Sequence, residues 1–294
     1  MTDHPATTTP GAEPAPQPGI FGRIARARPT KPGETYGVPG QGDTLWLSLG
    51  SIAFLIFIWW LVTAMGWVRP LFVPSPGAVI AKFADVWQNG FTNTPFLEHM
   101  AVSTARVFGA FLLACLIGIP LGLAMGMSPI MRGLFDPPIE FYRPIPPLAY
   151  LPLMIIWFGI GETSKVLLIF LSVFAPVALG ARSGVKSAAI EQIHAAYSFG
   201  ASRWQVMRHV ILPSALPEIL TAMRIGIGFG WTTLVAAEMV AATEGLGYMV
   251  LSASQFLQTS TVIMGIIVIA AIAYAFDLLM RWIERKVVPW KGRM

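Results

Sequence analysis

The sequence predicts an all-α integral membrane protein with about six transmembrane helices. Hydrophobic residues make up 55% of the 294 residues and charged residues only 12%, whereas about 25% of the residues of a soluble domain are charged. The apolar residues are gathered in runs, and several runs reach the roughly 20 residues that a helix needs to cross the hydrocarbon core. Composition and run length together exclude an ordinary soluble domain.

Six segments have the length and composition of membrane spans. We place them at 45–66, 106–127, 136–158, 165–183, 218–241 and 261–282. Four prolines, at positions 144, 146, 147 and 152, crowd the first part of the third segment. Prolines at membrane depth are tolerated where protein or a cavity covers the carbonyl groups that they leave unbonded. We therefore expect the third span to face the interior of the protein.

The domain organisation follows from composition and from the distribution of positive charge. Residues 1–43 are rich in Pro, Gly and Thr, which is typical of a disordered tail. Residues 44–294 are expected to form one transmembrane domain, from which a polar loop at 185–217 projects. Fifteen of the 20 Lys and Arg residues lie on the side of the spans that carries both termini, and four lie on the other. Positive charge is retained in the cytoplasm, so the termini and the loop are predicted to be cytoplasmic.

Small residues in two of the spans predict close helix packing. They are spaced four apart, as Gly118, Gly122 and Gly126 in the second span and as Gly226 and Gly230 in the fifth. This spacing lets helix backbones approach each other, either as plain packing contacts or as seams that slide when the protein changes state. Between the first two spans, apolar residues from Val79 to Trp87 recur at helical spacing, which predicts an amphipathic helix along the outer interface.

The polar loop has its own helical pattern. Ile190, Ile193 and the pair Ala196-Tyr197 form one stripe of a short helix. Gly200 follows where glycine commonly ends a helix, and Ser202 can cap the next turn. The loop is therefore predicted to be a short helix, a tight break and a second short helix outside the lipid. We expect Pro213 and Pro217 to end that second pattern before the fifth span.

The spacing within this loop resembles the cytoplasmic signature of binding-protein-dependent ABC transporter permeases. The matching residues are Ala195-Ala196, Gly200 after three residues, and Val210-Ile211-Leu212-Pro213 after nine more. The resemblance implies that the short helix docks in a cleft of an ATP-hydrolysing subunit. The residues implied in docking are His194, Ala195, Ala196, Gly200, Ala201, Ser202, Arg203, Leu212 and Pro213. The family usually has Glu where this chain has His194 and Ile where it has Val210, so an ion pair made by that Glu is not expected here.

Four further segments resemble the taurine branch of the nitrate and sulfonate permeases. They are residues 142–153, 157–165, 216–221 and 231–238, and the similarity extends from residue 45 to the end of the chain. The resemblance implies the type I ABC importer permease fold and a multi-pass protein of the bacterial inner (plasma) membrane. It also implies transport of taurine or a related alkanesulfonate. Permeases for nitrate, another sulfonate or a thiamine precursor share much of this pattern and remain alternatives.

The partners follow from the same resemblance and from a missing motif. The sequence contains no Gly-x4-Gly-Lys-Ser/Thr phosphate-binding loop, so the chain is not expected to hydrolyse ATP by that machinery. The resemblance implies a homodimer of this chain over two copies of an ABC ATPase subunit, with a periplasmic substrate-binding protein that delivers taurine. We expect a non-catalytic subunit that binds no cofactor or metal, with ATP used by its partner. Bilayer topology explains the net charge of +5 better than nucleic acid does.

Ionisable and polar residues within the spans are candidates for the translocation path. Glu238 either lines a cavity, where it could contact the substrate ammonium group, or has a structural role, with a hydrogen bond within the helix bundle or a position near the outer interface. Arg143 either attracts a sulfonate or marks the inner membrane boundary. Trp231 and Thr232 lie in the matched segment before Glu238 and complete the set. His99 has no second metal ligand at a convincing spacing and is expected at the surface.

Two other classes of function compete with the permease. A secondary transporter driven by an ion gradient would need dense intramembrane carboxylates or an internal repeat, and neither is clear in the sequence. A scaffold that only anchors a cytoplasmic ATPase would not depend on residues inside the membrane. An enzyme is disfavoured because paired carboxylates, a nucleophile triad and a metal-binding cluster are not apparent.

Overall fold

The structure is a computed structural model that describes residues 26–27, 42–43 and 45–289. Two short strands, β1 (Arg26–Ala27) and β2 (Gly42–Asp43), pair antiparallel. The rest of the predicted tail at 1–43 lies outside the described residues. The chain divides into two compact units, residues 1–68 and 69–294.

All other regular structure in the described ranges is helical. Among the described residues of the first unit, 45–64 form the helix α1 (Leu45–Ala64). The second unit contains α2 (Pro76–Asn89), α3 (Phe96–Met127), α4 (Pro129–Tyr142), α5 (Pro147–Phe158), α6 (Glu162–Val185), α7 (Ile190–Ser198), α8 (Arg203–Val206), α9 (Leu212–Ala241), α10 (Leu246–Gln255) and α11 (Thr259–Val287). A π-helical turn, Met207–Ile211, joins α8 to α9.

Five helices in the described ranges are long and apolar enough to span a bilayer: α1, α3, α6, the continuous α8–α9 segment and α11. The prediction of an unbroken span over 136–158 is wrong, because this segment is divided between α4 and α5. Pro144 and Pro146 have no N–H to donate to the preceding turn, and Pro146 is extended with a ψ of 132°, so α4 ends at Tyr142 and α5 begins at Pro147. The remaining apolar helix, α5, has 12 residues and is about 18 Å long.

The centre of the second unit is α6, which lies between α3 and α9. A Cβ on Gly122 would overlap the carbonyl oxygen of Ala178, and a Cβ on Gly180 would overlap the side chain of Ala222. These glycines are required because the helix backbones approach each other too closely for a side chain. The predicted glycine seams of the second and fifth spans both contact α6, so close packing is confirmed.

The second unit has two ends with different character. At the first, the last turns of α3 and α6 meet the first turns of α9, with Gly126 against Val185 and Gly184 against Ala215. We call this the loop end, since the 186–211 segment follows directly from α6. At the opposite end, the first turns of α3 and α6 meet the last turns of α9. We call this the network end.

The predicted amphipathic helix between the first two spans is α2. Ser75 caps it by accepting a hydrogen bond from the Ala78 backbone N–H, at 3.2 Å. Val79 and Val86 are buried, and the Phe83 ring contacts Phe96 at the start of α3, with ring centroids 5.7 Å apart. The helical prediction is confirmed, and α2 lies at the network end.

Candidate functional site

The loop forms the helix, break and helix that its sequence pattern predicts. In α7, all of which the structure describes, no residue is buried. Gly200 ends this helix with a φ of 82°, in the left-handed region where a side chain is strained and glycine is favoured. The Ala201 N–H donates to the Ala196 carbonyl oxygen at 3.1 Å, which closes the turn.

The second helix of the loop begins at a capping box. The Gln205 backbone N–H donates to Ser202 Oγ at 3.3 Å, and the Ser202 N–H donates to Gln205 Oε1 at 2.7 Å. The expectation that Pro213 and Pro217 end this helix before the span is wrong. The helix continues from Arg203 to Ala241, because Pro213 lies in the first turn of α9 and a π-helical turn precedes it.

The loop presents large apolar side chains to its surroundings. Phe199 is 92% exposed and Trp204 66% exposed, and Ile190 and Tyr197 are also exposed. We call these four residues the loop patch. Of the nine residues implied in docking, five are exposed (His194, Ala195, Gly200, Ser202 and Arg203) and four are half-buried (Ala196, Ala201, Leu212 and Pro213). Exposed aromatic residues beside polar ones mark a protein interaction surface.

A cavity of about 480 Å³ lies where α4 and α5 separate. It is lined by residues of the break, of α5, of α6 and of α9, namely Tyr142, Arg143, Pro144, Ile145, Pro146, Pro147, Tyr150, Leu171, Ser172, Ala175, Pro176, Leu179, Ile225 and Phe229. Arg143 is the charged member of this set. Its guanidinium lies 3.7 Å from the Glu140 carboxylate and donates no hydrogen bond to any described residue, so it is available to a ligand. Of the four prolines of this segment, Pro147 is half-buried and the other three are exposed, so the expectation that the segment faces the interior of the protein is not met within the single chain.

Two other predicted path residues lie apart from this cavity. Trp231 is buried against Phe276 in the apolar core of α3, α6, α9 and α11. Its indole N–H finds no partner among residues 45–289. Thr232 is exposed, and its hydroxyl donates to the Gly228 carbonyl oxygen at 3.2 Å. From α9, the cavity is lined instead by Ile225 and Phe229.

Glu238, the fourth predicted path residue, is fully buried at the network end. Its carboxylate accepts hydrogen bonds from Ser103 Oγ at 2.7 Å, from Arg106 Nη1 at 2.7 Å and from the Gly247 backbone N–H at 2.8 Å. Groups of the same chain therefore occupy the carboxylate. Of the two roles considered for Glu238, the structure places it in the hydrogen bond within the bundle and not at the cavity.

Arg106 connects this buried carboxylate to a second one. Its Nε and Nη2 donate to the two carboxylate oxygens of Glu162, both at 2.6 Å, and Nη1 also donates to the Glu244 carbonyl oxygen at 2.9 Å. Lys165 Nζ donates to the same Glu162 carboxylate at 2.7 Å. Two cations and two carboxylates thus form a chain of neutral total charge that joins α3, α6 and α9.

The turn between α9 and α10 is fixed to this network by three consecutive backbone N–H groups. Gly245 donates to His99 Nδ1 at 3.0 Å, Leu246 to Ser103 Oγ at 2.8 Å, and Gly247 to Glu238. The prediction of a surface position for His99 is wrong, since this side chain is fully buried. We call His99, Ser103, Arg106, Glu162, Lys165 and Glu238 the network.

Sequence reasoning missed most of the network, although a signal was present. His99, Ser103 and Arg106 are spaced by four and three residues, which places three polar side chains on one face of an apolar helix. Such a stripe within a span requires polar partners, because an unpaired buried polar group is costly. The partners themselves are not apparent locally, since Arg106 is 56 residues from Glu162 and 132 from Glu238.

Comparisons with known proteins identify the family of the chain. Residues 118–289, which include the cavity, the loop and Glu238, match the family of binding-protein-dependent transport system inner membrane components. The chain is 54% identical over 249 residues to the taurine transport system permease protein of Escherichia coli K12, covering 84% of this chain and 90% of that protein. It is 34% identical over 255 residues to a protein of Bacillus subtilis 168 described as an aliphatic sulfonates transport permease, covering 86% and 91%.

A solved structure shares the fold. The chain is similar to a chain of a methionine ABC transporter in an inward-facing conformation, with a TM-score of 0.57 and 18% identity, covering 65% of this chain and 95% of that chain. At this identity the likeness concerns the arrangement of helices. It identifies the architecture as that of type I ABC importer permeases, as the sequence predicted.

Proposed function

The chain belongs to the binding-protein-dependent transport system inner membrane components, and we propose that it carries taurine or a related alkanesulfonate across the bacterial inner membrane as the permease subunit of an ATP-driven importer. The observation that carries this proposal is the pairing of an exposed apolar loop with a cavity lined by the Arg143 guanidinium, which forms an ion pair with Glu140 but donates no hydrogen bond to a described residue. The loop serves a partner that supplies energy, and the cavity serves an anionic substrate. The substrate class is taken from the relatives named above.

We propose that the loop patch docks on a separate ABC ATPase subunit. Phe199 and Trp204 are exposed large aromatic residues of the kind that dominate binding energy in protein interfaces. The helix that starts beside them runs without a break from Arg203 to Ala241. A displacement of the loop patch would therefore be passed along one continuous helix to the cavity at Phe229 and to the network at Glu238.

The assembly that fits this role contains two copies of the chain over two ATPase subunits. A periplasmic binding protein would deliver the substrate at the network end, since the positive-inside bias places the loop end in the cytoplasm. ATP binding would bring the two loops together and change which end of the pathway is open, so that ATP biases a two-state element. ATP hydrolysis then belongs to the partner, and this chain binds no cofactor.

The cavity suits a small molecule that carries both charges of taurine, a sulfonate and an ammonium group. Arg143 can donate two parallel hydrogen bonds to a sulfonate, as a guanidinium does to other oxyanions. The last turn of α4 ends beside it, where the Ile145 N–H donates to the Tyr142 carbonyl oxygen at 3.0 Å, but Pro144 has no N–H to donate to the Glu140 carbonyl oxygen. Carbonyl groups at a helix C-terminus attract a cation. The ammonium group would bind there.

Uptake of radiolabelled taurine tests the proposal. The chain would be expressed with its ATPase and binding protein in cells that lack their own taurine permease. We expect uptake that requires an intact phosphate-binding loop in the ATPase and that is inhibited by excess ethanesulfonate more strongly than by nitrate. Uptake that persists with an inactive ATPase and stops when the ion gradient is dissipated would instead establish a secondary transporter.

A further inference from the structure

The two cations of the network are buried, whereas the carboxylate that binds both of them is exposed. Arg106 and Lys165 are cations with only 3% and 5% of their side chains exposed, whereas the Glu162 carboxylate that both bind is 58% exposed. A buried cation is costly unless a counter-charge is always present. Here two buried cations depend on a counter-charge that is in contact with the surroundings.

The charges show what Glu162 contributes. Glu238 is buried with Arg106 and neutralises one positive charge. Glu162 neutralises the other, through both of its oxygens on Arg106 and one on Lys165. If the Glu162 carboxylate moves away, one net positive charge is left in a buried setting with three N–H donors unpaired. Another anion is then strongly favoured in its place.

The groups around Glu162 differ in how firmly they are held. Arg106 is fixed by its further bonds to Glu238 and to the Glu244 carbonyl oxygen. Glu162 is the first residue of α6 and follows a turn that contains two glycines, Gly159 with a φ of 77° and Gly161. Glu162 is therefore the member of the group with the most freedom to move. The start of α6 adds the positive end of a 24-residue helix to the two cations.

We infer that Arg106 and Lys165 form an anion-binding site at the network end, which Glu162 closes and which takes the sulfonate group of the transported molecule when Glu162 leaves. The guanidinium presents two parallel donors and the ammonium a third, which matches the three oxygens of a sulfonate. This site is separate from the Arg143 cavity, which is lined by the middle turns of α6 and α9. The inference rests on the proposed function only for the identity of the anion.

Binding of radiolabelled taurine to the full-length chain in nanodiscs with its ATPase, in the absence of ATP, tests the site. Glu162→Gln keeps the shape of the side chain and removes its charge, so we expect taurine to bind about tenfold more tightly than to the wild type. The double variant Glu162→Gln/Lys165→Gln restores the neutral total charge and should lose this gain. Glu98→Gln is the matched control, because Glu98 is an exposed carboxylate in the first turn of α3 that pairs with no described cation.

Competition identifies the group that is bound. Ethanesulfonate, which lacks the ammonium group, should displace taurine from Glu162→Gln, and ethanolamine, which lacks the sulfonate, should not. Wild-type affinity in Glu162→Gln would overturn the inference, as would a gain that persists in the double variant. If the wild type transports no taurine while Glu162→Gln binds ethanesulfonate, the site stands and only the proposed substrate falls.

If Glu162→Gln is poorly folded, the effect of ethanesulfonate on its unfolding temperature still tests the inference. A ligand that binds only the folded state raises the unfolding temperature, and its stabilisation grows with the logarithm of one plus the ratio of ligand concentration to Kd. We expect ethanesulfonate to raise the unfolding temperature of Glu162→Gln in a concentration-dependent manner, and to raise it by more than that of the wild type or of Glu98→Gln. An equal response of all three proteins would show a general salt effect and overturn the inference.

Discussion

The two ends of the second unit differ in which side chains they bury and which they expose. At the network end, Glu238 and Arg106 are buried and their hydrogen bonds are made within the chain. At the loop end, Phe199 and Trp204 are exposed and no residue of α7, which the structure describes in full, is buried. A buried network that is complete holds helices in one arrangement. An exposed apolar surface needs another molecule to cover it. Substitutions at the first end should therefore change the stability of the chain, and substitutions at the second should change its assembly.

The largest effect is expected from breaking the network. Arg106→Gln removes the shared partner of Glu162 and Glu238 and leaves a buried carboxylate without its cation. Loss of one partner of a buried ion pair costs about 3–5 kcal/mol, so the unfolding temperature of the purified chain should fall steeply. Arg69→Gln is the control, because Arg69 is exposed and pairs with no described carboxylate. An equal loss in both variants would mean that the network adds nothing to the stability of the chain.

The next effect should come from the break in the loop. Gly200→Val places a β-branched residue at a φ of 82°, and strain of this kind costs about 1–3 kcal/mol. The angle between α7 and α8 should change, so ATP-driven uptake and recovery of the ATPase with the purified chain should both be lost. Gly66→Val carries matched strain, since Gly66 has a φ of 68° and open space around its Cα. Normal uptake in Gly200→Val would contradict docking through this loop.

Whether a feature could be predicted from the sequence depends on how far apart in the chain the residues that determine it lie. The loop helices, the break at Gly200 and the α2 helix depend on residues within a turn or two of each other, and all three were predicted. The π-helical turn before Pro213 and the division between α4 and α5 were not, since propensity alone does not decide between a kinked and a broken helix. The network depends on pairs more than 50 residues apart. Sequence pattern indicated Glu238 as important but could not indicate Arg106 as its partner.

A smaller effect is expected from trimming the loop patch. Trp204→Ala removes an exposed aromatic side chain, so the chain should keep its unfolding temperature. Loss of one aromatic contact at an interface should weaken ATPase binding by about tenfold, measured by titration of the chain in nanodiscs. Trp157→Ala is the matched control, because Trp157 is 62% exposed but lies at the end of α5. If both variants bind the ATPase as the wild type does, the loop patch is not the docking surface.

The smallest effect is expected from removing the cap in the loop. This variant tests whether the loop end is ordered without a partner. Ser202→Ala removes the side chain that accepts from the Gln205 N–H, and loss of such a cap costs about 1 kcal/mol. Amide hydrogen exchange at Gln205 and the following turn should become about fivefold faster, because local opening is favoured by that amount. Ser198→Ala is the control, since the Ser198 hydroxyl donates to the His194 carbonyl oxygen within α7 and caps no helix start. Fast exchange already present in the wild type would mean that the capping box does not hold the loop in place, and that the ATPase orders this end when it docks.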